Sequence, residues 1–289
     1  MCTSVEENSS FFSQIFPVIT FVVGLFATPI FQRFNENKRL KRVENHFVQL
    51  LESLNLQIAS QNREIVSCIR RIDDTNNFDL VLNKVSGREL NLIDRIDSKD
   101  IFKIIIERKK GTIKARTRIL NEINSVIAFL NESILHSFNS NMKAIEQIDK
   151  CRNDWNESQK SILKLKNQFV INRNLINPNV PDNFLSSVHK TIEDYNVTLK
   201  HGENPVNIFD ALKNQIEPLF DIVKKHSNDP RAGLLLLELQ NAKLACNEMK
   251  AIRINHRNFL LDNVRKNSKV NNNLKQVTKE MKGLKKRIV

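Results

Sequence analysis

The fold class rests on residues 40–72, which read LKRVENHFVQLLESLNLQIASQNREIVSCIRRI. Apolar side chains recur here every three or four positions, a spacing that places them on one face of an α-helix. The members of this stripe, with one polar residue among them, are Leu40, Val43, Phe47, Leu50, Leu54, Ile58, Gln61, Ile65, Cys68 and Ile72. Such a stripe is typical of a coiled-coil seam or of a long helix in a bundle.

A second helical pattern begins after Gly111 and continues to residue 169. Its apolar members keep the same spacing and are Ile113, Ile119, Ile123, Val126, Ile127, Leu130, Ile134, Phe138, Met142, Ile145, Ile148, Cys151, Trp155, Ile162, Leu165 and Phe169. An unbroken helix of this length would measure on the order of 90 Å. Residues 137–141, SFNSN, leave open whether the helix breaks there. We therefore predict a long-helix bundle or stalk over residues 33–170.

Residues 78–110 predict shorter helices. Asp97 is placed to cap a helix that continues through Ile104–Ile106, although those three isoleucines would also suit a short strand. Asp94, Asp97 and Asp100 are spaced by three and resemble a metal-binding cluster. Because basic residues lie between them and Asp97 has a capping role, we favour a structural role for all three.

The clearest linker is residues 171–183, INRNLINPNVPDN, which is dense in Asn and Pro. A C-terminal helical region over 184–264 follows it. Three helix starts are indicated by an Asp or Asn next to an early-turn residue, at Asp182, Asn204 and Asp229. We expect a helix over 205–226 with a kink at Pro218.

Residues 8–32 carry no charged side chain. Within them, residues 11–31 read FFSQIFPVITFVVGLFATPIF and would span about 31 Å as a helix, close to the ~30 Å of a bilayer's hydrocarbon core. A cleaved signal peptide would have a basic start, whereas Glu6 and Glu7 precede this segment. A buried core helix is the other alternative. We predict a transmembrane helix over 11–32, with a short external tail over 1–10.

The charges that flank this segment predict its orientation. Five basic residues follow it, and no basic residue precedes it; they are Arg33, Lys38, Arg39, Lys41 and Arg42. The positive-inside rule then places the N-terminus outside and the body in the cytoplasm, as in a single-pass protein of a bacterial inner membrane. Thr20, Gly24 and Thr28 are spaced by four and predict a face for close helix packing. The predicted fold class is therefore all-α, with one N-terminal transmembrane helix followed by an elongated cytosolic helical bundle.

The net charge of +13 is concentrated near the two ends of the sequence. Residues 265–289 hold nine Lys or Arg residues and one Glu. In this basic amphipathic tail a narrow apolar seam lies among Lys275, Lys279, Lys282, Lys285, Lys286 and Arg287. The pattern suits a coiled coil, an anionic lipid surface, nucleic acid, or the solvated end of a bundle helix.

No sequence motif indicates catalysis, a cofactor or a metal. The six Gly residues are isolated, so the sequence has neither a P-loop nor a dinucleotide-binding fingerprint. It also lacks the HExxH and GxSxG motifs. The four Cys residues are far apart, and Cys68 and Cys151 lie on apolar stripes, which favours free buried thiols. We predict no catalytic, cofactor-binding or metal-binding residues.

Three functional hypotheses remain from the sequence. The first is a non-enzymatic, membrane-anchored interaction, scaffold or signalling protein that acts through a protein partner or self-association. The second is a membrane effector or sensor, in which residues 183–264 bind a ligand or partner and the anchor oligomerises to perturb the membrane. The third and weakest is nucleic-acid binding by the basic tail.

Overall fold

The computed structural model describes residues 6–77, 79–83, 87–176, 180–200 and 207–283. These residues form helices and connecting turns, without a β-strand among them. In chain order the helices are α1 (Glu6–Asp73), α2 (Arg88–Asp94), α3 (Ser98–Phe102), α4 (Ile113–Ile176), α5 (Asn183–Lys200), α6 (Ile208–Ala211), α7 (Glu217–Lys225) and α8 (Pro230–Gly283). Wide π-helical turns follow α3 at Lys103–Glu107 and α6 at Leu212–Ile216. The all-α part of the predicted fold is confirmed.

The predicted transmembrane helix is wrong. Among the residues that the structure describes, no helix is both long enough and apolar enough to cross a membrane. This finding contradicts the single-pass membrane location, the external N-terminus and the cytoplasmic body that were inferred from it. The prediction relied on the absence of charge over residues 8–32, but a stretch with Gln, Thr and Pro residues can lack charge without being continuously apolar. Residues 11–32 are instead the early part of α1, a single helix of 68 residues.

The chain divides into two compact units. Unit 1 comprises residues 1–57, 86–128 and 270–289, and unit 2 comprises residues 58–85 and 129–269. Three long helices, α1, α4 and α8, each contribute residues to both units. Since the pieces of each unit are distant in the sequence, both cores depend on long-range packing of these helices.

Unit 1 buries apolar side chains from α1, α4, α8 and the segment between α2 and the first π turn. Fully buried examples include Phe47, Leu51, Ile104, Ile105 and Met281. Ile104 and Ile105 are adjacent in sequence, and both are buried in the π turn. Residues 101–107 are thus helical, and the short strand that Ile104–Ile106 would also suit does not form.

Unit 2 has the larger core. It draws on the end of α1, the second half of α4, helices α5 to α7 and most of α8. Trp155, Ile162 and Tyr195 are buried in it together with Leu239 and Met249. Helix α4 is continuous through residues 137–141, so the break considered there does not occur.

The helix expected over 205–226 is divided rather than simply kinked at Pro218. Asn204 and Pro205 lie outside the described residues, and the observed start is Asn207, whose side chain accepts a hydrogen bond from the amide of Phe209. A π turn then precedes α7, in which Pro218 is the second residue. Proline cannot donate to the carbonyl four residues earlier, and its ring clashes with that carbonyl. The wider turn just before Pro218 avoids both problems.

Candidate interaction surface

The three residues predicted to form a helix-packing face lie on an exposed part of α1. The hydroxyls of Thr20 and Thr28 donate to the carbonyls of Phe16 and Gly24, both at 2.7 Å. A Cβ atom added at Gly24 would meet no neighbouring heavy atom within 4 Å. The proposed packing role of Thr20, Gly24 and Thr28 therefore stays a prediction.

Two residues of the 33–42 segment hold α1 against the region of α3. Arg39 donates two hydrogen bonds to the Asp100 carboxylate, at 2.6 and 2.7 Å. Lys103 pairs with Glu36 at 2.7 Å. The Arg39 hydrogen bonds lower the pKa of Asp100 below its ordinary value. Asp97 caps α3 by accepting from the amide of Lys99, so both aspartates have structural partners.

The remaining basic residues of that segment are exposed, namely Arg33, Lys38, Lys41 and Arg42. Arg33 and Lys38 precede the part of α1 that is buried in unit 1, which begins at Leu40, whereas Lys41 and Arg42 lie on its exposed side. The positive charge at this point was interpreted as a sign of membrane topology. The pairing of Arg39 with Asp100 gives part of that charge a local structural role instead.

The basic tail is partly packed into unit 1. Its seam residues Leu274, Val277 and Met281 are buried. Lys275 and Lys279 are exposed, whereas Lys282 pairs with Glu52 of α1. Lys285, Lys286 and Arg287 lie outside the described residues. The lipid-binding and nucleic-acid-binding roles of the tail stay predictions.

Within unit 2, a row of polar contacts joins α4 and α8. Ser133 bonds Asn267 at 3.3 Å, and the Asn263 amide donates to Ser137 at 3.0 Å. One turn further along α4, Asn141 bonds His256 at 2.8 Å. As the residue number rises along α4 it falls along α8, so these parts of the two helices run antiparallel. Because unpaired polar groups are costly when buried, the row fixes the register of the two helices.

Asn141 is the last α4 residue of this row and is fully buried. Its side-chain amide donates to the Leu80 carbonyl at 3.1 Å, which leaves its oxygen to accept from His256 Nε2. Burial lowers the pKa of His256 to about 4, so the ring is neutral at pH 7. The apolar pattern did not indicate this role, because the predicted stripe passes through the neighbouring Met142, which is 40% exposed.

A cavity with charged groups in unit 2 lies where α4 ends and α8 begins. It has a volume of about 670 Å³ and is lined by residues of α4, of the segment before α5 and of the start of α8. Its lining includes the rings of Phe169 and Phe184, the imidazole of His226, and Ile176 and Val180 at its apolar rim. Ile176 is 75% exposed and Val180 is 56% exposed.

A three-residue ion-pair cluster forms the charged side of the cavity. Arg231 donates to both oxygens of Asp182, at 2.7 and 3.0 Å, and also to Asp229 at 2.7 Å. Its guanidinium carbon lies 5.2 Å from the centre of the Phe184 ring and 5.7 Å from that of Phe169. The Arg231 hydrogen bonds lower the pKa values of Asp182 and Asp229. All three side chains are therefore charged at neutral pH and held in fixed positions.

Both aspartates also cap helices. Asp182 accepts from the amide of Leu185 at the start of α5, and Asp229 accepts from the amide of Arg231 at the start of α8. The sequence identified both caps but not the arginine that joins them. The sequence does contain a signal for this cluster: two helix starts carry an acidic cap, and Arg231 follows the second cap, Asp229, by two residues.

The described residues offer little for covalent or metal chemistry. They contain no group of three or more His, Cys, Asp or Glu side chains placed to hold a metal ion. Burial raises the pKa values of the Cys68 and Cys151 thiols and that of Cys246, the last to about 11. A raised pKa makes a thiol a poorer nucleophile at neutral pH. What the cavity can do is receive an apolar group beside a fixed, charged wall.

Comparison with known proteins gives no relative for this chain. It matches no protein family, no curated protein and no solved structure.

Proposed function

We propose that this chain is a non-enzymatic helical interaction protein, of the scaffold or signalling kind, that binds a protein partner at the cavity of unit 2. The observation that carries the proposal is the cavity's exposed aliphatic rim, Ile176 and Val180, beside the fixed Arg231 ion-pair cluster. Exposed apolar groups next to ordered polar groups are typical of partner-binding surfaces. The predicted ligand-sensing role would use the same cavity and stays a prediction.

The partner expected here is a protein segment that presents aliphatic side chains. Arg231 is already paired with both carboxylates, and Asp182 and Asp229 also accept helix amides, so all three groups have their hydrogen-bond partners within the cluster rather than in an ionic ligand. Covering the apolar surface of the rim, in contrast, stabilises a complex by about 25 cal/mol per Å². Binding should therefore depend mainly on the two rim residues.

A photo-crosslinking experiment with a matched control tests this proposal. A photoreactive residue at position 180 of the full chain should give a discrete protein adduct in the native host. The same residue at position 175 should not, since Leu175 is 79% exposed but does not line the cavity. Identical adducts from both positions would show a nonspecific apolar contact and refute the proposal.

Binding of the purified partner then gives the quantitative test. Ile176→Asp should weaken it by at least about 10-fold, because a charge would be buried in an apolar contact. Leu175→Asp should leave the dissociation constant unchanged within about 2-fold. Equal losses in the two variants would overturn the assignment, and turnover of a substrate by the purified chain would overturn the non-enzymatic part.

A further inference from the structure

The buried face of α1 follows two interleaved seven-residue repeats. From residue 40 to residue 72, every position of these repeats is buried. In unit 1 they are Leu40, Glu44, Phe47, Leu51 and Leu54, and in unit 2 they are Ile58, Gln61, Ile65, Cys68 and Ile72. Alternating steps of four and three define a coiled-coil seam.

The same repeats extend toward the N-terminal part of α1. Phe16, Val23 and Ile30 occupy one set of positions, and Ile19 and Phe26 occupy the other in the sequence. Between Ile30 and Leu40 the two repeats have two positions, and both are polar, Arg33 and Asn37. We call residues 16–30 the upper seam. It has the sequence pattern of the buried seam, in the same register and on the same helix.

The upper seam differs from the buried seam in its exposure. Phe16 is 72% exposed, Val23 58% and Ile30 66%. The remaining stretches of this sequence, outside the described residues, are each six residues or shorter. Six residues make about 9 Å of helix, against about 21 Å for the upper seam. None of them is long enough to cover it.

The charges on either side of the upper seam indicate which partner would cover it and whether the two helices would run parallel or antiparallel. Glu6 and Glu7 precede it, and a cluster with five basic residues follows it at 33–42. In a parallel pair of such helices the two basic clusters would lie side by side and repel. In an antiparallel pair centred near Val23, the acidic pair of each copy is level with residues 39 and 40 of the other, next to the exposed Lys38, Lys41 and Arg42. The segment is therefore complementary to a second copy of itself.

We propose that the upper seam pairs with the upper seam of a second copy of this chain, antiparallel, as a two-helix coiled coil. Five large apolar residues from each copy, at roughly 100 Å² each, bury on the order of 1,000 Å² in total. That area is at the small end for specific interfaces, so we expect a weak and reversible dimer. This inference goes beyond the proposed function, because the upper seam belongs to unit 1 and the partner cavity to unit 2.

Sedimentation of the full chain tests the pairing. Val23→Asp combined with Ile30→Asp should raise the dimer dissociation constant by at least about 30-fold, because both changes place charges in the seam. Phe21→Asp combined with Leu25→Asp is the matched control. Those residues are exposed by 67% and 56%, but they lie outside the two repeats. The control should keep the dissociation constant within about 3-fold, and a monomeric wild-type chain would overturn the proposal.

Disulfide crosslinking tests the direction, in a chain that carries Cys2→Ser. Val23→Cys should crosslink to itself because it is at the centre of the antiparallel pair. Phe16→Cys should crosslink to Ile30→Cys but not to itself. Self-crosslinking of Phe16→Cys without the mixed product would show parallel pairing and refute the proposal.

A lipid surface is the alternative occupant, and the same variants distinguish it. If the chain cosediments with vesicles of phosphatidylcholine and phosphatidylglycerol, and both aspartate pairs abolish this equally, the upper seam is not a pairing face. That result would overturn the inference. Binding of the unit 2 partner should be unchanged by Val23→Asp and Ile30→Asp, so a failure here and a failure of the proposed function give different results.

Discussion

Arg231 shows how one side chain can organise the end of unit 2. It binds two helix-capping carboxylates and lies against two phenylalanine rings, with 29% of its side chain exposed. Asp182 precedes α5 and Asp229 precedes α8, so the arginine joins the starts of two helices. An ion pair that is partly buried and hydrogen-bonded on both sides is costly to break on one side only.

We expect Arg231→Met to lower the free energy of unfolding by about 2 kcal/mol at pH 7. Methionine keeps apolar contact with the rings but leaves two adjacent carboxylates without their common donor. Since the arginine lowers the pKa of both aspartates in the folded state, its contribution is complete above their unfolded pKa of about 3.9. It is lost as the pH falls through the lowered folded values.

Urea denaturation at pH 7 and pH 3 measures this difference. The exposed Arg63 gives a control, and Arg63→Met should change stability by less than about 0.5 kcal/mol. An Arg231→Met chain that is as stable as the wild type at pH 7 would show that the cluster has no net stabilising effect.

The buried imidazole of His256 predicts an acid-sensitive unit 2. Its folded pKa of about 4 lies below the ordinary 6.5, so the unfolded state binds a proton more readily between these values. Stability from this residue is complete above pH 6.5 and falls by about 3 kcal/mol as the pH drops toward 4. His256→Gln should remove this dependence, as followed by urea denaturation at several pH values. The exposed His189, replaced by Gln, should not, and an unchanged pH slope in His256→Gln would contradict the prediction.

The seam of α1 was predicted well from the sequence, including its one polar member, Gln61, whereas the seam of α4 was misplaced where its members are polar. In α1, the predicted stripe includes Phe47, Leu54 and Ile65, which are all buried. In α4 the buried face passes through Ser137 and Asn141, one position before the predicted Phe138 and Met142. A hydrophobicity pattern cannot choose a buried asparagine, because the partners that satisfy its amide come from distant parts of the chain.

At the scale of elements, Arg253 of α8 forms the C-terminal cap of α1. Its guanidinium donates to the carbonyls of Ile72 and Asp74, both at 2.7 Å, and to that of Asn77 at 3.1 Å. The last carbonyls of a helix have no partner within it, so this arginine satisfies the buried Ile72 carbonyl and holds the turn after α1 against α8. Burial lowers the pKa of Arg253, although the residue remains a cation.

Arg253→Lys should loosen the end of α1 although it keeps the charge. A lysine ammonium cannot reach three carbonyls with the geometry of a guanidinium, and we expect a loss of about 2 kcal/mol. Hydrogen exchange should show reduced protection over residues 68–74. Lys250→Arg, on the exposed face of the same helix, should leave exchange unchanged. Full protection in Arg253→Lys would show that the cap is dispensable.

Helix boundaries were predicted well where a local signal determines them. Asp97, Asp182 and Asp229 each accept a backbone amide near the start of a helix, as expected for Asp at these positions. The two π turns were not predicted. They depend on tertiary contacts that bury adjacent residues such as Ile104 and Ile105, and no residue preference identifies such turns in advance.

At the scale of the whole molecule, the sequence predicted where charge and apolar residues accumulate but not what they contact. The net charge of +13 gathers near both ends, and parts of it pair within unit 1, as Arg39 does with Asp100 and Lys282 with Glu52. Absence of charge over residues 8–32 was read as a membrane span, which the structure contradicts. The sequence shows where the charged residues lie along the chain. Which group each of them contacts depends on the helices that the fold brings together.

The cysteines of unit 2 give a test of whether its long helices open together. Cys68 lies on α1, Cys151 on α4 and Cys246 on α8, and all three are buried and free. With a pKa of about 11, only roughly 0.1% of the Cys246 thiol is ionised at pH 8, so alkylation requires opening of the unit. If unit 2 opens as one cooperative body, iodoacetamide should label the three at a common rate, at least about 100-fold slower than in urea. Peptide mapping by mass spectrometry measures each site, and faster labelling of Cys68 alone would show that the end of α1 separates from α4 and α8 before they unfold.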